Sequence, residues 1–244
     1  MLFRSYFMLD PNFPDRLLSS GDRRTMEFIQ VLCEDYSRRG LAVETDRCVA
    51  ISGLVARIAR ARRCQSRYGI FEGYLHRNLL WLRSDEKVKR IGYTTQIVPS
   101  WSWMAYDGSI KFMEIPFDCV DWNVELRFNK KHKYMSFNKK GKDALVTNVG
   151  VFRNCSLEQR DTSYAILDSS KAERGWIQYD IEASEDLQAE RCVVVGRASQ
   201  RLRDKKYYIL VVRPTSVDGE YTRVGVGWIQ NDYVVRQRLN VRVV

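Results

Sequence analysis

A chain of 244 residues, 45% hydrophobic and 29% charged, can bury about 70% of the surface its unfolded form exposes. That excludes the disordered, collagen-like and disulfide-stapled classes. The formal charge is +10, yet it is concentrated: residues 57–67 hold Arg57, Arg60, Arg62, Arg63 and Arg67, and residues 130–142 hold Lys130, Lys131, Lys133, Lys139, Lys140 and Lys142, with no acid in either stretch. The rest of the chain is close to neutral, so the charge marks two candidate contact surfaces on an ordinary body.

Residues 1–90 read as a helical segment. Phe28, Ile29, Leu32, Cys33 and Tyr36 recur at the spacing of one buried helical stripe, which predicts a helix over 23–39. Asp22 is its expected cap and Gly40 its left-handed stop. A second helix is expected from Thr45 or Asp46, burying Val49, Ile51, Leu54, Val55 and Ile58. At ~100° per residue, Arg57, Arg60, Arg63 and Arg67 share its opposite face, whereas Arg62 points inward and the helix frays there. A third helix over 73–82 carries Leu75, Leu79 and Leu80.

From residue 91 the hydrophobic period shortens to that of strands, expected over 91–98, 100–106, 109–115, 117–128, 144–152, 176–181, 191–198, 206–213 and 220–229. Asp107-Gly108 predicts a tight hairpin between 100–106 and 109–115. Its register would set Trp103 against Phe112 and Ala105 against Ile110, with Ser100 and Ser102 on a half-exposed face. A second hairpin joins 206–213 to 220–229, and the stretch 207–212, apolar on both faces, reads as a central strand. The expected fold is α+β: N-terminal helices packed on a mainly antiparallel sandwich or partly open barrel over 91–244, as one cooperative body.

Little in the sequence suggests catalysis. The cysteines at 33, 48, 64, 119, 155 and 192 are too dispersed for the paired ligands of a structural zinc, and they read as reduced thiols of a cytoplasmic protein. His76, in the third helix, and His132, within the lysine stretch, read as solvated surface residues. Glu34-Asp35, Asp85-Glu86 and Glu185-Asp186 are sequence neighbours whose side chains diverge, so none forms an acid–base pair. Gly225-Val226-Gly227 lacks the third glycine and the following helix of a dinucleotide loop. The 2–9 stretch, broken by Arg4 and closed by Asp10-Pro11, is too short for a secretory signal. No apolar run reaches the length of a membrane span. No enzyme, cofactor or metal is expected.

Two features carry alternatives. Trp101 and Trp103 read as core, the other reading being a stacking platform for a base or a sugar. The lysine stretch, with Tyr134 and Phe137, reads as a solvated loop, the alternative being a nucleic-acid contact. The arginine face suits a protein partner, a neighbouring domain, an anionic surface or plain solvent.

Four groups of residues resemble the region that follows the signature domain in fungal heterokaryon incompatibility (HET domain) proteins. They are Tyr36-Ser37-Arg38-Arg39 with Leu41; the helix start Asp46-Arg47-Cys48 through Ser52-Gly53-Leu54; Leu79-Leu80-Trp81 followed by Pro99-Ser100-Trp101-Ser102-Trp103; and Tyr221-Thr222-Arg223-Val224-Gly225. Order and spacing fit across residues 26–230. Ala42-Val43 and Gly73-Tyr74-Leu75 depart from the family's pattern, and nothing before Arg23 resembles the HET domain itself. That domain is expected upstream of Met1, or else the chain is a stand-alone remnant. The resemblance implies a non-enzymatic accessory region serving protein–protein recognition in fungal nonself recognition and programmed cell death. The alternative expectation is a nucleic-acid-binding β module that uses the lysine stretch and the arginine face.

Overall fold

The computed structural model describes residues 19–85, 88–94, 96–129, 143–184, 186–199 and 205–244. The lysine stretch 130–142 and His132 lie outside the described residues. Helix α1, Asp22–Ser37, buries Met26, Ile29, Leu32 and Cys33 along the stripe that the spacing dictates. Its ends differ from expectation. Gly21 is the cap, at φ 90°, and Asp22 is the first helical residue, its carboxylate reaching Arg62 at 2.8 Å. The C-terminus closes through Arg38 N to Glu34 O and Arg39 N to Tyr36 O, so Gly40 is not needed as a left-handed stop and does not adopt that conformation.

Helix α2, Arg47–Ala61, follows a 3-10 turn at Glu44–Asp46. It buries Arg47, Ile51, Ile58 and Ala59, while Leu54 and Val55 pack at the margin. Val49, expected inside, is 68% exposed. It lies two residues from both inward positions, Arg47 and Ile51, hence about 200° round the helix from each. Helix α3 spans only Leu75–Leu79, after a 3-10 turn at Glu72–Tyr74. The expected continuation to residue 82 is instead strand β3, Trp81–Arg83, preceded by the β1 (Ser66–Arg67) and β2 (Ile70–Phe71) hairpin.

The Asp107-Gly108 hairpin does not form. Strand β5, Tyr106–Asp107, pairs with β4, Lys89–Arg90. Strand β6, Ile110–Phe112, pairs with β3 and sets Phe112 against Trp81 rather than Trp103. The turn survives, with Gly108 at φ 128°, but its two arms are claimed by different partners. Residues 100–106 are not a strand, because Ser102 caps a 3-10 turn at Trp103–Ala105 by accepting from Met104 N. The described residues of 91–98 also form no strand. The expected 117–128 strand resolves into β7, Val120–Trp122, and β8, Arg127–Phe128.

The remaining strands are β9 (Leu145–Phe152), β10 (Ser156–Arg160), β11 (Ser163–Leu167), β12 (Glu173–Tyr179), β13 (Arg191–Ala198), β14 (Lys206–Pro214), β15 (Glu220–Gln230) and β16 (Val234–Val243). They form a ten-stranded sheet in the order β10-β11-β12-β15-β14-β13-β9-β16, with β7 added on β13 and β8 on β9. A short parallel pairing of Glu220–Tyr221 with Arg242–Val243 brings β16 back to β15. Strands β9, β13, β14, β15 and β16 thereby close into a ring. The fold is α+β with mainly antiparallel pairing. As expected, β14 and β15 form a hairpin, and β14, buried from Tyr208 to Val212, lies between two partners. One core joins Met26, Ile29 and Ile58 of the helices to Trp101, Val193, Leu210 and Val243. A second cluster, around Phe152, Ile166, Ile177 and Ile209, fills the region beside β11 and β12.

Candidate functional site

Most residues that carry the family resemblance meet in the interior. Arg223 of β15 is fully buried, and its Nε and Nη2 donate to Asp180 at 3.0 and 3.1 Å. Its Nη1 donates to Leu79 O at 2.6 Å and its Nη2 also to Trp81 O at 2.7 Å. The guanidinium carbon lies 3.6 Å from the centre of the Trp81 ring. Its backbone amide donates to Ser100 Oγ at 2.8 Å, and Ser100 Oγ donates to Val244 O. Trp81 Nε1 donates to Trp101 O at 3.0 Å. One arginine thus fastens the α3–β3 corner, the Pro99–Trp103 segment and β15 together. Burial pushes the Asp180 carboxyl up, and the Arg223 charge opposes that shift.

A second group docks the helices. Tyr36 Oη donates to Arg47 O at 2.8 Å. Arg47, 2% exposed, reaches Asp107 at 3.0 Å. Ser37 Oγ accepts from Ile110 N at 2.9 Å, and Glu34 accepts from Phe112 N at 3.0 Å. The C-terminal turn of α1 therefore satisfies two backbone donors of β6. Ser102 Oγ donates to Tyr68 O at 2.7 Å. Trp101 and Trp103 are both 0% exposed, which rules out a stacking platform; Tyr36 and Tyr68 pack edge-on against them. Ser100 and Ser102, expected half-exposed, are buried, because the 3-10 turn removes the strand alternation that would have turned them outward.

The other resemblance residues are peripheral or serve packing. Asp46, Ser52 and Gly53 are exposed along α2. Pro99 and Leu80 are buried, and Tyr221 is half-buried. Gly225 lies where a Cβ would come within 2.7 Å of Gln178 O, so it lets β12 and β15 approach closely.

The arginine face is smaller than the helical wheel predicts. Arg60 and Arg63 are exposed and Arg57 is half-buried. Arg67 is not on the helix: it lies in β1, is 7% exposed, and pairs with Asp143 at 3.2 Å. It also donates to the side chain and backbone oxygens of Asn129, at 2.7 and 2.9 Å. Arg67 therefore holds both residues that flank 130–142. Arg62 turns inward to Asp22 and lies 5.1 Å from the Tyr74 ring centre.

His76 is half-buried, not a solvated surface residue. It stacks on Trp122 with ring centres 5.6 Å apart, and Nε2 donates to Asn123 O at 2.7 Å. Burial lowers its pKa. Burial pushes the thiols of Cys33 and Cys192 up to about 12, so neither supplies thiolate near neutral pH. Among the described residues no three His, Cys, Asp or Glu side chains are placed to hold a metal ion, and no helix is long and apolar enough to cross a membrane.

Several important residues carried no legible signal in the sequence. Asp180 is 43 positions from its partner. Glu190, fully buried, accepts from Tyr179 Oη and Arg213, both at 2.8 Å. A surface cleft of about 760 Å³ opens between β7, β13 and β16, and a smaller one of about 270 Å³ lies outside the Arg223–Asp180 pair. Fold and site define an α+β protein organised around a buried ion pair. No family model, curated protein or solved structure matches the chain.

Proposed function

We propose that the chain is a non-enzymatic accessory region of a HET-domain-like protein, working through protein–protein contacts in fungal nonself recognition and programmed cell death. The observation that carries this reading is the convergence of the residues on which the resemblance rests. Dispersed along the sequence, Tyr36 bonds to Arg47, and Arg223 to Ser100 and Trp81, while Ser37, Arg47 and Ser102 tie their elements to Ile110, Asp107 and Tyr68 through buried or half-buried hydrogen bonds. A shared motif that specifies a scaffold leaves recognition to the surface, where the exposed Arg60 and Arg63 lie. The stacked His76 and the high-pKa thiols also suit a binding role over nucleophilic or acid–base chemistry. Six unpaired cysteines suit a reducing compartment, and the cytoplasm is the proposed location.

The test is to sequence the transcript upstream of Met1. An in-frame HET-like α/β domain is the expected result, and that domain, expressed separately, should bind the chain less tightly when Arg60 and Arg63 are changed to Glu. An in-frame stop codon directly upstream contradicts an attached HET domain and favours a stand-alone remnant; with a domain in place, undiminished binding by the Arg60 and Arg63 variants contradicts the contact.

A second reading, nucleic-acid binding, draws support from Arg67. It holds Asn129 and Asp143, the described residues on either side of the lysine stretch in the sequence, and follows Arg60 and Arg63 closely along the chain. It requires affinity for single-stranded RNA that falls steeply with salt. Undetectable binding at ~50 mM salt, where counterion release most favours it, eliminates this reading.

A further inference from the structure

We infer that the cleft between β7, β13 and β16 binds an extended, acidic peptide segment of a partner protein. This inference rests on the reading of the chain as a protein-contact module and names the chemistry of one contact.

Two irregularities build the cleft. On β16 the ladder to β9 pairs Arg236 with Gly150 and next Asn240 with Asn148, so residues 237–239 stand opposite the single Val149. Those three residues have no cross-strand partner and bulge from the ring. On β13 the register shifts between Val194 and Gly196, where Trp122 of β7 crosses the strand. A Cβ on Gly196 would lie 2.7 Å from the Trp122 ring, so glycine is what admits the indole. The resulting cleft of about 760 Å³ is within the usual size of ligand sites.

Its charges set the ligand. Arg197 of β13 and Arg236 and Arg238 of β16 line the cleft and are exposed. Their guanidinium groups form no ion pair or hydrogen bond with any described residue. Elsewhere the fold pairs its arginines readily: Arg47, Arg67, Arg174, Arg213 and Arg223 each meet a carboxylate. Three unpaired forks around one cleft match carboxylates presented from outside. Asp121 and Glu125 also line the cleft. They would repel the unbroken negative charge of a nucleic-acid backbone, whereas a peptide can place its acids opposite the arginines and neutral residues opposite the acids. The amide of Gln237, with the stretch 237–239 that has no register partner on β9, suits a peptide main chain laid along the strand; the Asn148 amide already donates to Glu125.

The experiment is fluorescence anisotropy on the full chain with a fluorescein-labelled peptide alternating Glu and Val, and with its Gln counterpart. The Glu peptide should bind and the Gln peptide should not. R236E/R238E should weaken binding by about tenfold or more, each tenfold being ~1.4 kcal/mol, with an unchanged melting temperature. R60E/R63E should bind as the parent does. If R236E/R238E does not fold, R197Q on β13 reports on the same cleft and should also weaken binding. No binding of the Glu peptide, or equal binding by the cleft variants, overturns the inference. So does an oligouridylate that binds the parent, loses affinity in R236E/R238E and finds no competitor in the peptide. Peptide binding is read on this chain alone, so a stop codon upstream of Met1 leaves it standing. A failed titration, conversely, leaves the upstream-domain reading intact.

Discussion

Arg223 and Asp180 face each other through two hydrogen bonds of 3.0 and 3.1 Å, with side-chain exposures of 0% and 2%. The pair survives burial because the guanidinium also satisfies the carbonyls of Leu79 and Trp81, leaving little uncompensated polarity. Asp180→Asn removes the balancing charge and should destabilise the fold by ~3–5 kcal/mol. The double variant Asp180→Asn/Arg223→Met removes both charges and should lose less than Asp180→Asn and Arg223→Met summed. Urea denaturation of the four proteins in the cycle measures the coupling, and strict additivity would show that the pair is not energetically linked.

Trp103 is enclosed against Tyr36. Trp103→Ala should cost ~3–5 kcal/mol through the cavity it leaves. A variant that unfolds at the parent's urea midpoint would exclude the core role.

Gly225 sets the separation of β12 and β15. In Gly225→Ala the new methyl would meet the Gln178 carbonyl at 2.7 Å, a backbone obstacle that cannot rotate away. A loss of ~1–3 kcal/mol is expected. Thermal unfolding that matches the parent would mean the strands separate at no cost.

His76 gives the fold a pH dependence of defined sign. Burial holds its pKa below the ordinary 6.5, so the unfolded chain binds the proton more readily than the native one. The stabilisation is fully present above pH 6.5 and is lost as pH falls through 6.5 toward the lower native value. His76→Gln should flatten stability against pH in that window. A variant with the same slope as the parent would place the titration elsewhere.

What the sequence made legible was local. The α1 stripe is a property of consecutive residues, and Met26, Ile29, Leu32 and Cys33 are buried as the spacing requires. The β14–β15 hairpin and the central place of β14 follow from short connections and a doubly apolar strand. Pairings chosen at long range were not legible. Asp107-Gly108 supplies a sound turn, yet β4 and β3 compete for its arms and win. Strand β16 alternates arginines and exposes much of its length, so no hydrophobic pattern announces it. Arg67 looks like one more turn of a basic helix, but the chain leaves the helix at Ala61, and a carboxylate 76 positions away takes the guanidinium. The burial of Trp101 and Trp103 was legible from residue type, although the strand expected to bury them is a turn.

The most direct measurement is equilibrium urea unfolding of Arg223→Lys. Lysine keeps the charge but cannot hold Asp180, Leu79 and Trp81 together with one planar fork. If the residues behind the family resemblance form the scaffold that joins helices to sheet, the variant should lose about 3 kcal/mol. An unfolding midpoint equal to the parent's would contradict that, and would turn Arg223 from a structural tie into a residue kept for some other purpose.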